Sequence, residues 1–298
     1  MRLATILILL IAADAAAIPI IVRAPVPMAA YKLQIESIDQ ASYAPLLELT
    51  GTKEPQQPIE VQLEPERSPA AASAPPWISG WAFGDAGLIV MIPTRAERYP
   101  DNGVDELLRH EMAHVLESRA AGGREIPRWF NEGLAMFASR GWRLEDRSRL
   151  AFELMRGDQI PIAELDELFG ADEGGVSRAY AISGAFVRDL ILRHGRTVPG
   201  DILQRIAKGQ SFADAFAAAT GESFADAEAA FWRRQTLWNR WVPFLTSSVA
   251  LWLFTTFLAI WAIRKRRVRD RLRAEEWDES AEGIEIGNES PDPEELVN

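Results

Sequence analysis

Two of the chain's three histidines stand four residues apart, in His110-Glu111-Met112-Ala113-His114, and no other feature constrains the fold as much. On an α-helix, residues i and i+4 share one face a turn apart, so both imidazoles can donate a ring nitrogen to the same metal ion. The flanking residues support the helix. Asp101 or Asn102 offers an N-terminal cap, Asp105 and Glu106 fall in the first turn, and Gly122-Gly123 follows the end near Arg119. Glu111 leans to the side of the pair, where a carboxylate reaches water on the metal without ligating the metal itself.

A third donor is offered by Pro127-Arg128-Trp129-Phe130-Asn131-Glu132-Gly133-Leu134-Ala135, a second helix arriving after a short glycine-containing turn. A helix starting at Pro127 places Glu132 about one and a half turns in, facing back onto the first helix. From Leu107 to Ala138 the sequence resembles the gluzincin metallopeptidases, the thermolysin-like group, and most closely their membrane-associated, peptidase MA-like relatives. In those families the HExxH helix is followed by Asn-Glu on the next helix, matched here by Asn131 and Glu132. The resemblance implies a zincin-like domain and one zinc (Zn2+) held by His110, His114 and Glu132. It also implies hydrolysis of peptide or protein substrates with Glu111 as the general base. More loosely it extends through Tyr180-Ala181-Ile182-Ser183, which implies Tyr180 as donor to the developing oxyanion; on its own, Tyr180 reads equally well as a packing residue.

Two departures from the family pattern stand out. Thermolysin-type sequences carry an aspartate four residues beyond the ligand glutamate, as partner to a histidine, and this chain has Met136 there. The Gly-x-Met-Glu-Asn signature of the related aminopeptidases is also missing, which points away from an exopeptidase that clamps a free N-terminus. Just upstream of the HExxH helix, the strand Leu88 to Ile92 stands where zincins keep the edge strand that pairs with substrate.

The two ends of the chain suggest a sidedness. Arg2, an apolar run from Leu3 to Ala13 and the small-residue pattern Ala15-Ala16-Ala17 read as a signal peptide over residues 1–17. The alternative, an uncleaved anchor to about Val22, puts Asp14 and Pro19 inside a bilayer. Residues 243–263 form a run of 21 without charge, long enough for a transmembrane helix. Seven cations follow within residues 264–273, which the positive-inside rule places in the cytoplasm against lipid head groups. The tail, 264–298, is basic and then acidic and reads as disordered. The expected location is therefore the cell membrane, single-pass, with the body outside. With a net charge of -11, nucleic acid is not an expected partner.

Between these ends lies one domain, residues 30–240. Its first part is proline-rich with β-compatible runs Tyr31 to Ile38 and Ile59 to Leu63, then a hairpin of Trp77 to Phe83 and Leu88 to Ile92. From Asp101 onward the pattern is helical, with His194 at a helix end where a cation complements the dipole. The expected class is α+β: a small N-terminal sheet, a mostly helical C-terminal part and one C-terminal transmembrane helix. The absence of cysteine excludes a disulfide framework, an iron-sulfur site and a thiol nucleophile. Two functions fit. One is a membrane-anchored zinc metalloendopeptidase acting outside the cytoplasmic membrane. The other is a catalytically silent, zinc-stapled binding or assembly module of the cell envelope, for which the intact Glu111 has no physical use.

Overall fold

The computed structural model of the chain describes residues 18–52, 57–156, 159–246, 251–267 and 269. The expected signal peptide, 1–17, and the tail from 270 onward lie outside the described residues. The chain divides into two compact units, Met1–Thr236 and Leu237–Asn298.

In the first unit, strands β1 (Ile20–Arg23), β2 (Ile59–Leu63), β3 (Gly80–Phe83) and β4 (Leu88–Met91) form a sheet in the order β1-β2-β4-β3. β1, β2 and β4 run parallel, and β3 pairs antiparallel with β4, Gly80 opposite Met91. Parallel neighbours need crossover connections, and helices α1 (Ala29–Glu36) and α2 (Ala44–Thr50) fill the first, α3 (Pro69–Ser73) lying after β2. This corrects the reading of Tyr31 to Ile38 as β. The alternation of Tyr31, Leu33 and Ile35 imitates a strand, yet the crossover winds it into α1, burying Ile35 and leaving Leu33 68% exposed. The run from Ile18 to Val22, which a continued anchor would occupy, instead borders and enters the sheet, with both named residues buried in the core.

The helices that follow are α4 (Val104–Ala120), α5 (Arg128–Arg140), α6 (Leu144–Arg156), α7 (Leu165–Leu168), α8 (Glu173–His194), α9 (Val198–Ala207), α10 (Phe212–Thr220) and α11 (Phe224–Thr246). α5 is the central element, packed against both α4 and α8. Its first-turn amides would be orphans, and Asp166 caps them, accepting from Arg128 N at 3.1 Å and Trp129 N at 2.7 Å. Trp129 packs against Phe186 and Phe212 with ring centroids 5.3 and 5.5 Å away, so an aromatic cluster fixes the start of α5. Gly133 lets the backbone of α8 come close: a Cβ there would lie 2.6 Å from the Ser183 carbonyl oxygen. Cap, aromatic cluster and close contact together fix the turn of α5 that carries Glu132.

The expected α+β chain with a transmembrane helix is corrected. The fold is mostly helical around a small sheet, and helices interleave with the strands from Ala29 onward. Among the described residues no helix is long and apolar enough to cross a membrane. The uncharged run 243–263 is divided: 243–246 finish α11, 247–250 lie outside the described residues, and a further helical stretch covers 251–267. Absence of charge in sequence set the expectation, and no helix among the described residues meets it.

Candidate active site

α4 turns His110 and His114 to one side, their ring centroids 4.8 Å apart. α5 brings Glu132 to them, with Oε2 3.4 Å from His110 Nε2 and 3.6 Å from His114 Nε2. The other carboxylate oxygen lies 3.6 Å from Arg128 Nε, one turn earlier on α5. One donor atom from each of the three residues lies within 4.8 Å of the others, a set that can hold a metal ion. The donor chemistry fits. Burial works against a charge on Glu132, but the two imidazoles outweigh it and hold its pKa well below the usual carboxylate range. Burial alone would lower His110, and the carboxylates of Asp101 and Glu132 reverse this and raise it. The cluster therefore concentrates negative potential at two ring nitrogens, where a cation is favoured.

Glu111 is 5% exposed beside this cluster, and its Oε2 has no hydrogen-bond partner among the described residues. Burial pushes its pKa up to about 8. It opens on a cleft of about 570 Å³, walled by residues 77–80 on one side and by Val176, Ser177 and Tyr180 of α8 on the other. Tyr180 stands edge-on to His110 with ring centroids 6.2 Å apart, and packs against Phe169 at 5.2 Å. Burial, and then the carboxylates of Glu132, Asp101 and Glu111, hold its hydroxyl protonated, with a pKa well above that of an ordinary phenol. His194 closes α8 outside the cluster, where it faces Glu222 at 3.0 Å.

The strand beside the site is not the one expected. Leu88 to Ile92 contains β4, which is central in the sheet, paired on both sides. Of the two edge strands, β1 and β3, it is β3 that packs alongside α4 with Gly80 in the cleft wall. The hairpin was legible, but which arm faces outward depends on the pairing of β4 with β2.

Two further residues of the site escape the sequence reading. Asp101 does not cap α4, whose N-cap is Gly103; it turns inward, 4% exposed, with Oδ1 3.7 Å from His110 Nδ1. At that distance the two do not hydrogen-bond, and neither atom has a hydrogen-bond partner among the described residues. A metal-ligating histidine is ordinarily oriented through its second ring nitrogen, and Asp101 supplies a carboxylate there although Met136 occupies the family's usual position. The signal that could have revealed it is that same vacancy at Met136. Asp101→Ala is expected to weaken metal binding by about 10- to 100-fold, as losses of such outer partners do. Competition against a chromogenic chelator measures it, and wild-type affinity would remove Asp101 from the site. Glu117, fully buried, accepts from Asn131 Nδ2 at 2.6 Å and braces α4 against α5 next to Glu132. Burial raises its pKa well above the ordinary value, against the lowering by the Asn131 hydrogen bond.

A family model described as the Peptidase MA superfamily matches residues 39–238. No curated protein matches the chain. The matched span takes in α4, α5, the β3 wall and Tyr180, and exceeds half of the 298 residues, so the chain belongs to the Peptidase MA superfamily.

Proposed function

We propose that the protein is a zinc-dependent endopeptidase of the gluzincin type, with His110, His114 and Glu132 as ligands and Glu111 as general base. The observation that carries this is the convergence of three donors, one of which, His110, lines a cleft together with the buried Glu111, whose Oε2 has no hydrogen-bond partner among the described residues. The chemistry supplied by a bound zinc is polarisation of the scissile carbonyl and a lowered pKa for water, to about 7. The other steps belong to the chain. Glu111 accepts the proton of the attacking water and passes it to the leaving amine. Tyr180, whose hydroxyl stays protonated, donates to the oxyanion that develops on the carbonyl. β3 offers its unpaired edge to an extended substrate backbone beside the cleft. A place outside the cytoplasmic membrane is part of the proposal on the strength of the signal-like residues 1–17.

Purified protein should cleave an unfolded protein or a peptide library, lose that activity on chelation, and regain it with one equivalent of zinc. Tyr180→Phe should keep the zinc and lower kcat by about 100-fold or more, the scale on which a single oxyanion donor acts. Hydrolysis that survives chelation would defeat the reading, and an unchanged rate in Tyr180→Phe would return Tyr180 to packing.

A further inference from the structure

β3 runs beside α4, and at Gly80 the strand meets Glu111 with no side chain between them. A Cβ on Gly80 would lie 2.8 Å from Glu111 Oε1 and 3.1 Å from both Cδ and Cγ. Contacts with three successive atoms cannot be relieved by turning the carboxylate alone. The buried side chain has to shift as a whole, toward the cleft that it lines. Nor does backbone conformation explain the glycine, because Gly80 is not among the residues with positive φ. In a strand, glycine costs stability relative to residues with a side chain and marks places where another group approaches closely. Here the approaching group is the carboxyl on which hydrolysis depends.

We propose that Gly80 is a positioning residue for the base: the bare backbone at the start of β3 is the wall against which the Glu111 carboxyl is set. This rests on Glu111 acting as the general base, as proposed above. The wall is one-sided. It limits Glu111 on the strand side and leaves the cleft side open to water and substrate. The three atoms nearest a methyl group added at position 80 all belong to Glu111, so the carboxyl is what it displaces.

Gly80→Ala should retain one equivalent of zinc at wild-type affinity while kcat falls by about 10- to 100-fold, since displacement of a reacting group by about 1 Å has effects of that size. KM should change little. A raised KM with kcat intact would mean that the methyl group blocks the cleft, and would overturn the proposal, as would unchanged kinetics. A thermal-melting cycle on the zinc-free protein tests the contact without reference to activity. Gly80→Ala should lower Tm in the wild-type background, but leave it equal or higher in a Glu111→Ala background, where the space has been vacated. Equal loss in both backgrounds would show that the tight contact is not with Glu111. If wild-type protein hydrolyses nothing, the peptidase reading fails, while the melting cycle still decides whether Gly80 sets the position of Glu111.

Discussion

Glu111→Gln is expected to keep a full equivalent of zinc and to lose at least about a hundredfold in hydrolysis. The substitution preserves length, shape and one carbonyl oxygen while removing the proton acceptor, and a positioned general base contributes at least that factor. Zinc is retained because Glu111 is not among the three converging donors. Stability should not suffer either. Glu111 is buried with one oxygen unpartnered, and burial already drives its pKa to about 8, so the charged form is disfavoured in the metal-free chain. A neutral amide removes that penalty, and the melting temperature should equal or exceed that of wild type. The measurements are elemental analysis, thermal melting and turnover of a peptide library. A silent, zinc-stapled module would show no difference in turnover because neither protein would hydrolyse anything. If both proteins prove inert yet equally able to restore a deletion phenotype, the enzymatic reading is lost.

The parts of this site that were legible in sequence are those fixed by local periodicity. A spacing of four places His110 and His114 on one helix face whatever surrounds them. Pro127 and Gly141 mark the bounds of the next helix closely enough to orient Glu132, and α5 runs from Arg128 to Arg140. Non-local features were not legible. The order of strands depends on β2 choosing β4 as its parallel neighbour, although the wholly apolar Leu-Ile-Val-Met of β4 already matched a strand covered on both faces. Asp101 looked like a helix cap because acidic residues before a helix usually are; its inward turn toward His110 belongs to the loop ahead of Gly103. The start of α9, Val198-Pro199-Gly200, imitates a turn in sequence. Proline is tolerated in a first helical turn, and Gly200 is where α9 meets Gly51, whose nitrogen would lie 2.7 Å from an added Cβ. The transmembrane expectation rested on the absence of charge alone, and no helix among the described residues is long and apolar enough to meet it.

Removing any one of the three donors should abolish stoichiometric zinc. Three protein ligands leave little redundancy, and the geometry shows why each is needed: Glu132 Oε2 lies within 3.6 Å of both histidine Nε2 atoms, so losing the carboxylate opens one whole side of the cluster. In Glu132→Ala the two imidazoles also lose the charge that keeps them paired, and Asp101 and Glu111 are left as buried carboxyls whose pKa values burial already raises. A cation that binds only the folded chain stabilises it by mass action, by about 4 kcal/mol when free metal exceeds Kd by roughly a thousandfold. Zinc should therefore raise the melting temperature of wild type by several degrees and leave His110→Ala, His114→Ala and Glu132→Ala unmoved. Asp101→Ala, acting on a ligand and not as one, should show an intermediate shift that grows with zinc concentration. Elemental analysis of the purified variants supplies the independent count. A full equivalent of zinc in His110→Ala, with an unchanged melting shift, would place the metal elsewhere and remove the foundation on which Glu111, Tyr180 and Gly80 have been given their roles.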